Sequence, residues 1–174
     1  EFTLEGISNI QGDFQCIDYF YVKEFVMPFI RVAGDMTIAL NSGSINTAAE
    51  IEFPKLQEIG GTLTLGTNRN ANNITFPLLK KILGSCSVTT YKLKNDIEFT
   101  NLESIGTDGA DAQIKFEIEA TNILCPKLKT INGKFDIATS SFMFDMEVDK
   151  VSYPNVESIS ENLSITCPYS DFGS

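Results

Sequence analysis

Carboxylates spaced two apart, four cysteines and a run of serines and threonines are the residues best equipped for chemistry in this chain. Glu50 and Glu52 form one carboxylate pair, and Asp96 and Glu98 another. In an extended strand such residues share a face and lie about 7 Å apart. That separation suits the acid and base of a glycosidase. Asp13, Asp35, Glu117 and Asp136 add carboxylates on other alternating segments. Any solvated acidic strand produces the same pattern, however, and supporting groups are scarce. There is no histidine, and arginine occurs only at Arg31 and Arg69. Little is left to shuttle protons, stabilise an oxyanion or bind uronates. We expect a non-enzymatic chain, with a carbohydrate-active enzyme using surface carboxylates as the alternative.

Cys16, Cys86, Cys125 and Cys167 are widely spaced and form no CxxC pair, which argues against a zinc site. They fit best as small buried hydrophobes, with a disulfide as the alternative. Asp108-Gly109-Ala110-Asp111 offers too few oxygens at a recognised spacing for calcium and reads as a plain turn. No metal and no cofactor are expected. The hydroxyl residues Thr62, Thr64, Ser85 and Ser87, with Thr37 before them and Lys115 and Asp136 after, sit at alternate positions. They form the candidate ligand-binding face. Threonine ladders bind ice in some solenoids, but only Thr62-Leu63-Thr64 has the Thr-x-Thr form, and threonine simply favours strands. Asn73-Ile74-Thr75 and Asn162-Leu163-Ser164 match glycosylation sequons, which matter in a eukaryotic source.

The elements that must position these residues follow from the whole chain. Its 174 residues, 43% hydrophobic and 21% charged, suit one domain with a sizeable core. A formal net charge of −10 disfavours nucleic acid and anionic membranes as partners. No apolar run is long enough to span a bilayer as a helix.

An internal repeat organises the sequence. Pro28, Pro54, Pro77, Pro126 and Pro154 each follow Met27, Phe53, Phe76, Cys125 or Tyr153 and precede an aliphatic two places on: Ile30, Leu56, Leu79, Leu128, Val156. Isoleucine follows five places after four of them, at Ile59, Ile82, Ile131 and Ile159, while the Pro28 copy is one residue short and ends at Val32. Thr100 replaces proline in a sixth copy. A glycine and two alternating apolar residues come next, as in Gly34, Met36 and Ile38, or Gly61, Leu63 and Leu65. This slot recurs seven times from Gly12 to Glu161, at a mean step of about 25 residues.

Period-2 alternation means strands with one buried face. Each repeat carries two, one after the glycine and one before the proline. The Pro-x-Leu-x-x-Ile link between them reads as a single helical turn or corner. Segments 41–49, 66–72, 89–95 and 139–149 read as edge loops of variable length. A strand pair cannot bury its face alone, so successive coils must stack into parallel sheets. The fold class is all-β, a parallel β-solenoid of about seven coils.

With this pattern in place, Ile59 to Leu65, Ile-x-Gly-x-Leu-x-Leu, resembles the receptor L-domain repeat, a leucine-rich-repeat-like right-handed β-helix. Residues 4 to 166 carry the resemblance. Such repeats occur in growth-factor receptor ectodomains, fungal cell-wall proteins and surface proteins of gut Bacteroidetes. Only Asn41 and Asn68 stand where an asparagine ladder would run, against Tyr19, Tyr91 and Ser140 elsewhere, and dense disulfide modules are missing. The bacterial surface branch fits best. It implies a cell-surface or secreted module, outer-membrane-anchored or free, that binds a protein or glycan. Residues 1–174 are expected to form one domain of a longer chain, with more repeats or another domain upstream. Tyr169 and Phe172 are expected to cap the last coil.

Overall fold

The computed structural model describes residues 2–3, 5–18, 24–41, 49–68, 71–91, 97–107, 112–118, 122–139, 150–152 and 155–166. Seven coils of three strands follow one another. The first two hold β1 (Phe2–Thr3), β2 (Asn9–Ile10) and β3 (Phe14–Asp18), then β4 (Glu24–Val26), β5 (Arg31–Val32) and β6 (Met36–Asn41). The third and fourth hold β7 (Ala49–Glu52), β8 (Glu58–Ile59) and β9 (Leu63–Asn68), then β10 (Ala71–Thr75), β11 (Lys81–Ile82) and β12 (Cys86–Tyr91). The fifth and sixth hold β13 (Ile97–Glu98), β14 (Ser104–Ile105) and β15 (Ala112–Ile118), then β16 (Asn122–Leu124), β17 (Thr130–Ile131) and β18 (Gly133–Thr139). The seventh holds β19 (Lys150–Ser152), β20 (Ser158–Ile159) and β21 (Leu163–Thr166).

Every third strand pairs in parallel, giving three seven-stranded sheets. The lead sheet runs from β1 to β19, the short sheet from β2 to β20, and the long sheet from β3 to β21. The chain is an all-β parallel solenoid, and no helix occurs among the described residues. No described helix is therefore long and apolar enough to cross a membrane.

The link between the sequence repeat's two strands differs from the expectation. It contains a third strand rather than a helical turn. Leu56 N–H donates to Phe53 C=O at 3.4 Å and Leu79 to Phe76 at 3.4 Å, closing tight turns with proline at their second position, where its fixed φ is favourable. Beyond the turn, N–H groups reach the coil below instead of their own chain. Gln57 donates to Ile30 at 2.8 Å, Lys80 to Gln57 at 2.9 Å and Glu103 to Lys80 at 2.9 Å. Inter-coil bonding therefore overrides helical bonding, and Leu56 and Ile59 both point inward, each fully buried.

The short Pro28 copy brings a second correction. Val32 pairs with Ile59 as its length implies, but the missing residue shifts Phe29 into the buried slot and leaves Ile30 38% exposed. A third concerns the edge: β9 continues to Asn68 and β10 begins at Ala71, so strand occupies most of the segment read as a loop over 66–72. Tyr169, Phe172, Cys167, Asp96, the 108–111 turn and most of 139–149 lie outside the described residues, as do Tyr19 and Ser140.

Two columns hold the coils together. Phe53, Phe76 and Phe99 are fully buried. Their rings stack at 4.9 Å and 3°, then 5.0 Å and 7°, matching the strand spacing of about 4.8 Å. The glycine slot forms the other column. Gly34 N–H donates to Gly12 C=O at 3.0 Å, Gly61 to Gly34 at 2.9 Å and Gly84 to Gly61 at 3.0 Å. A Cβ on Gly84 would lie 2.7 Å from the carbonyl carbon of Gly61, so only glycine permits this backbone approach.

Candidate functional site

The outward face of the long sheet is built by its registers. Thr37 pairs with Thr64, Thr64 with Ser87, Ser87 with Lys115 and Lys115 with Asp136. Four of the six residues picked out as a ligand face therefore stand in one unbroken column, with Thr37 directly before them. Thr62 and Ser85 stand one position ahead of β9 and β12 and are half-buried, while Thr64 is exposed and Ser87 half-buried. For Lys115 and Asp136 the register fixes the backbone position.

Thr62 and Ser85 also serve the backbone between coils. Thr62 C=O accepts from Met36 N–H at 2.8 Å, and Ser85 C=O accepts from Leu63 N–H at 2.9 Å. The adjacent outward column runs Ile17, Ala39, Gly66, Thr89, Glu117. Gly66 and Thr89 were missed as part of the face because residues from 66 and from 89 onward read as loops, and Ala39 because it carries no polar group. A Cβ on Gly66 would meet only Ile38 O, at 4.0 Å, so space above its backbone is open. The result is a patch of small, mostly polar groups across the middle coils.

The carboxylates are divided among separate tasks. Asp13 Oδ1 accepts from Asp35 N–H at 2.8 Å, and Asp35 Oδ1 accepts from Thr62 N–H at 2.7 Å. Asp13 and Asp35 thus tie each coil to the next, a role their alternation did not reveal, because the donors lie 22 and 27 residues away. Glu50 and Glu52 lie on the lead sheet, with Glu24 paired to Glu50 and Thr75 to Glu52. Glu50 and Glu98 are exposed and Glu52 half-buried. The described aromatic side chains, Phe14, Phe29, Phe53, Phe76 and Phe99, form one ring-to-ring chain. All but Phe14 are fully buried, so they provide no platform beside these carboxylates.

Cys86 and Cys125 are free thiols in the core, and Cys16 is half-buried. Burial pushes the Cys86 thiol up to about 12. Cys125 is raised further, by burial first and by the neighbouring Cys86 second. Neither is a thiolate nucleophile at neutral pH. Among the described residues, no three or more His, Cys, Asp or Glu side chains gather where they could hold a metal ion. No family model, curated protein or solved structure matches the chain.

Proposed function

We propose that the chain is a non-enzymatic recognition module, displayed at a cell surface or secreted, that binds a glycan or protein across the outward face of the long sheet. The observation that carries this reading is the unshifted register from Thr37 through Thr64, Ser87 and Lys115 to Asp136. It sets Thr37, Thr64 and Ser87 in one column that the backbone positions of Lys115 and Asp136 continue, where small side chains let a ligand approach the backbone closely. The regular proline corners are constrained by packing, whereas outward strand faces are free to be shaped for a partner. In this reading the coils are receptor L-domain repeats of the bacterial surface type, as the Ile59-to-Leu65 motif suggests.

The second reading is a carbohydrate-active enzyme using Glu50 and Glu52, favoured by their outward placement on one strand. A glycan array with reducing-sugar measurement on every hit separates the two. Binding without release of reducing ends supports the module. Release of reducing ends overturns it.

A further inference from the structure

We infer that the short-sheet face of the solenoid is a second binding surface, for an acidic polysaccharide that carries a charge on alternate sugars. It lies on a different sheet from Thr64 and Ser87 and does not depend on what the long sheet binds. The turns and short strands of coils two to seven span 28–32, 54–59, 77–82, 100–105, 126–131 and 155–159. They hold six of the chain's thirteen basic residues, Arg31, Lys55, Lys80, Lys81, Lys127 and Lys129, against three acids, Glu58, Glu103 and Glu157. Elsewhere seven bases stand against twenty acids, so coil stacking gathers cations on one face of a strongly acidic chain. All six are exposed. Arg31 holds Glu58 at 2.9 Å, and none of the five lysines has an ion pair among the described residues.

The spacing of the lysines selects the kind of polyanion. Glu103 N–H donates to Lys80 C=O and Lys129 N–H to Glu103 C=O, each at 2.9 Å. Lys80 and Lys81 therefore stand two coils from Lys127 and Lys129, about 10 Å along the axis. Two sugar units of an extended β-linked chain cover that distance. Alternate residues of an extended acidic peptide fall short of it, at about 7 Å, and nucleic acid phosphates are set closer still. The fifth coil, between the lysine pairs, offers Ser104, in register with Lys81, and the amide of Asn101. That amide is fixed, its Nδ2 donating to Pro77 C=O at 2.5 Å and its Oδ1 accepting from Lys127 Nζ at 2.6 Å. Glu103 repels a charge placed over this coil, so an uncharged sugar belongs there and acidic sugars over coils four and six. Leu78, 41% exposed on the same turn as Lys80, adds an apolar contact for the C–H face of a sugar ring.

Hyaluronan oligosaccharides, with a carboxylate on every second sugar, are the probe, compared with neutral dextran, poly-glutamate and single-stranded DNA. In titration calorimetry at low salt the parent chain should bind hyaluronan and lose that binding as salt is raised. Dextran should not bind, and the two denser polyanions should bind more weakly. Lys80→Gln with Lys81→Gln should weaken hyaluronan binding roughly tenfold at an unchanged melting temperature, as should Lys127→Gln with Lys129→Gln. Glu103→Gln should tighten it, while Glu24→Gln, which removes the same charge from the lead sheet, should leave it unchanged. A parent that does not bind hyaluronan overturns the inference, as do lysine variants that bind like the parent. Equal tightening by Glu24→Gln and Glu103→Gln overturns it too, and so does tighter binding of poly-glutamate or DNA.

Discussion

Phe76 sits in the middle of the stacked ring column, between Phe53 and Phe99. Phe76→Ala should cost about 3–5 kcal/mol in urea unfolding, because neighbours on both sides prevent collapse of the cavity. Phe14→Ala, at a half-buried end position, should cost clearly less. Equal losses would mean that the column is not the spine of the core. Cys86 gives a pH prediction. Its thiol is held neutral by burial, from an ordinary value of 9.0 to about 12. The associated stability is complete below the unfolded value and is lost as pH rises from about 9 toward about 12. Melting temperature should fall over that window, and fall less in Cys86→Val. At this scale the slots of Thr64 and Ser87 were legible, because alternation alone fixes which face a strand residue takes. The duty of Asp13 and Asp35 was not, since their partners belong to another coil.

Among the elements, the glycine column makes the sharpest test of how coils touch. Gly84→Ala places a methyl against the backbone of Gly61 and Thr62 and should destabilise by about 1–3 kcal/mol through overpacking. Gly12→Ala has nothing within 4 Å and should unfold like the parent. Matching denaturant midpoints for the two variants would refute the close approach. The long strands were legible because they alternate over several residues. The short sheet was not: strands of two residues, such as β8 and β11, are too brief to show a period, and Leu56 and Ile59 are spaced as on a helix. Their extended form is set by hydrogen bonds from Gln57 and Lys80 to the previous coil, which no local pattern encodes. The one-residue shortening after Pro28 was legible as a length, but the exchange of Phe29 for Ile30 inside the core depends on where the turn absorbs it.

For the molecule as a whole, the recurrence of one motif about every 25 residues was enough to foresee stacked parallel coils, because a lone strand pair has nothing to bury itself against. The face proposed for binding was only partly foreseen. Thr64, Ser87, Lys115 and Asp136 were named from single repeats, yet their alignment depends on three successive registers across edges of differing length. That alignment is what the proposed function rests on, and the most direct test crowds it. Glycan-array and surface-binding profiles should be compared between the parent and the Thr64→Lys, Ser87→Lys double variant, with thermal melts of both. Loss of the parent's binding signals with an unchanged melt is the predicted result. A double variant that melts like the parent and binds the same ligands equally well would contradict a recognition site on this face.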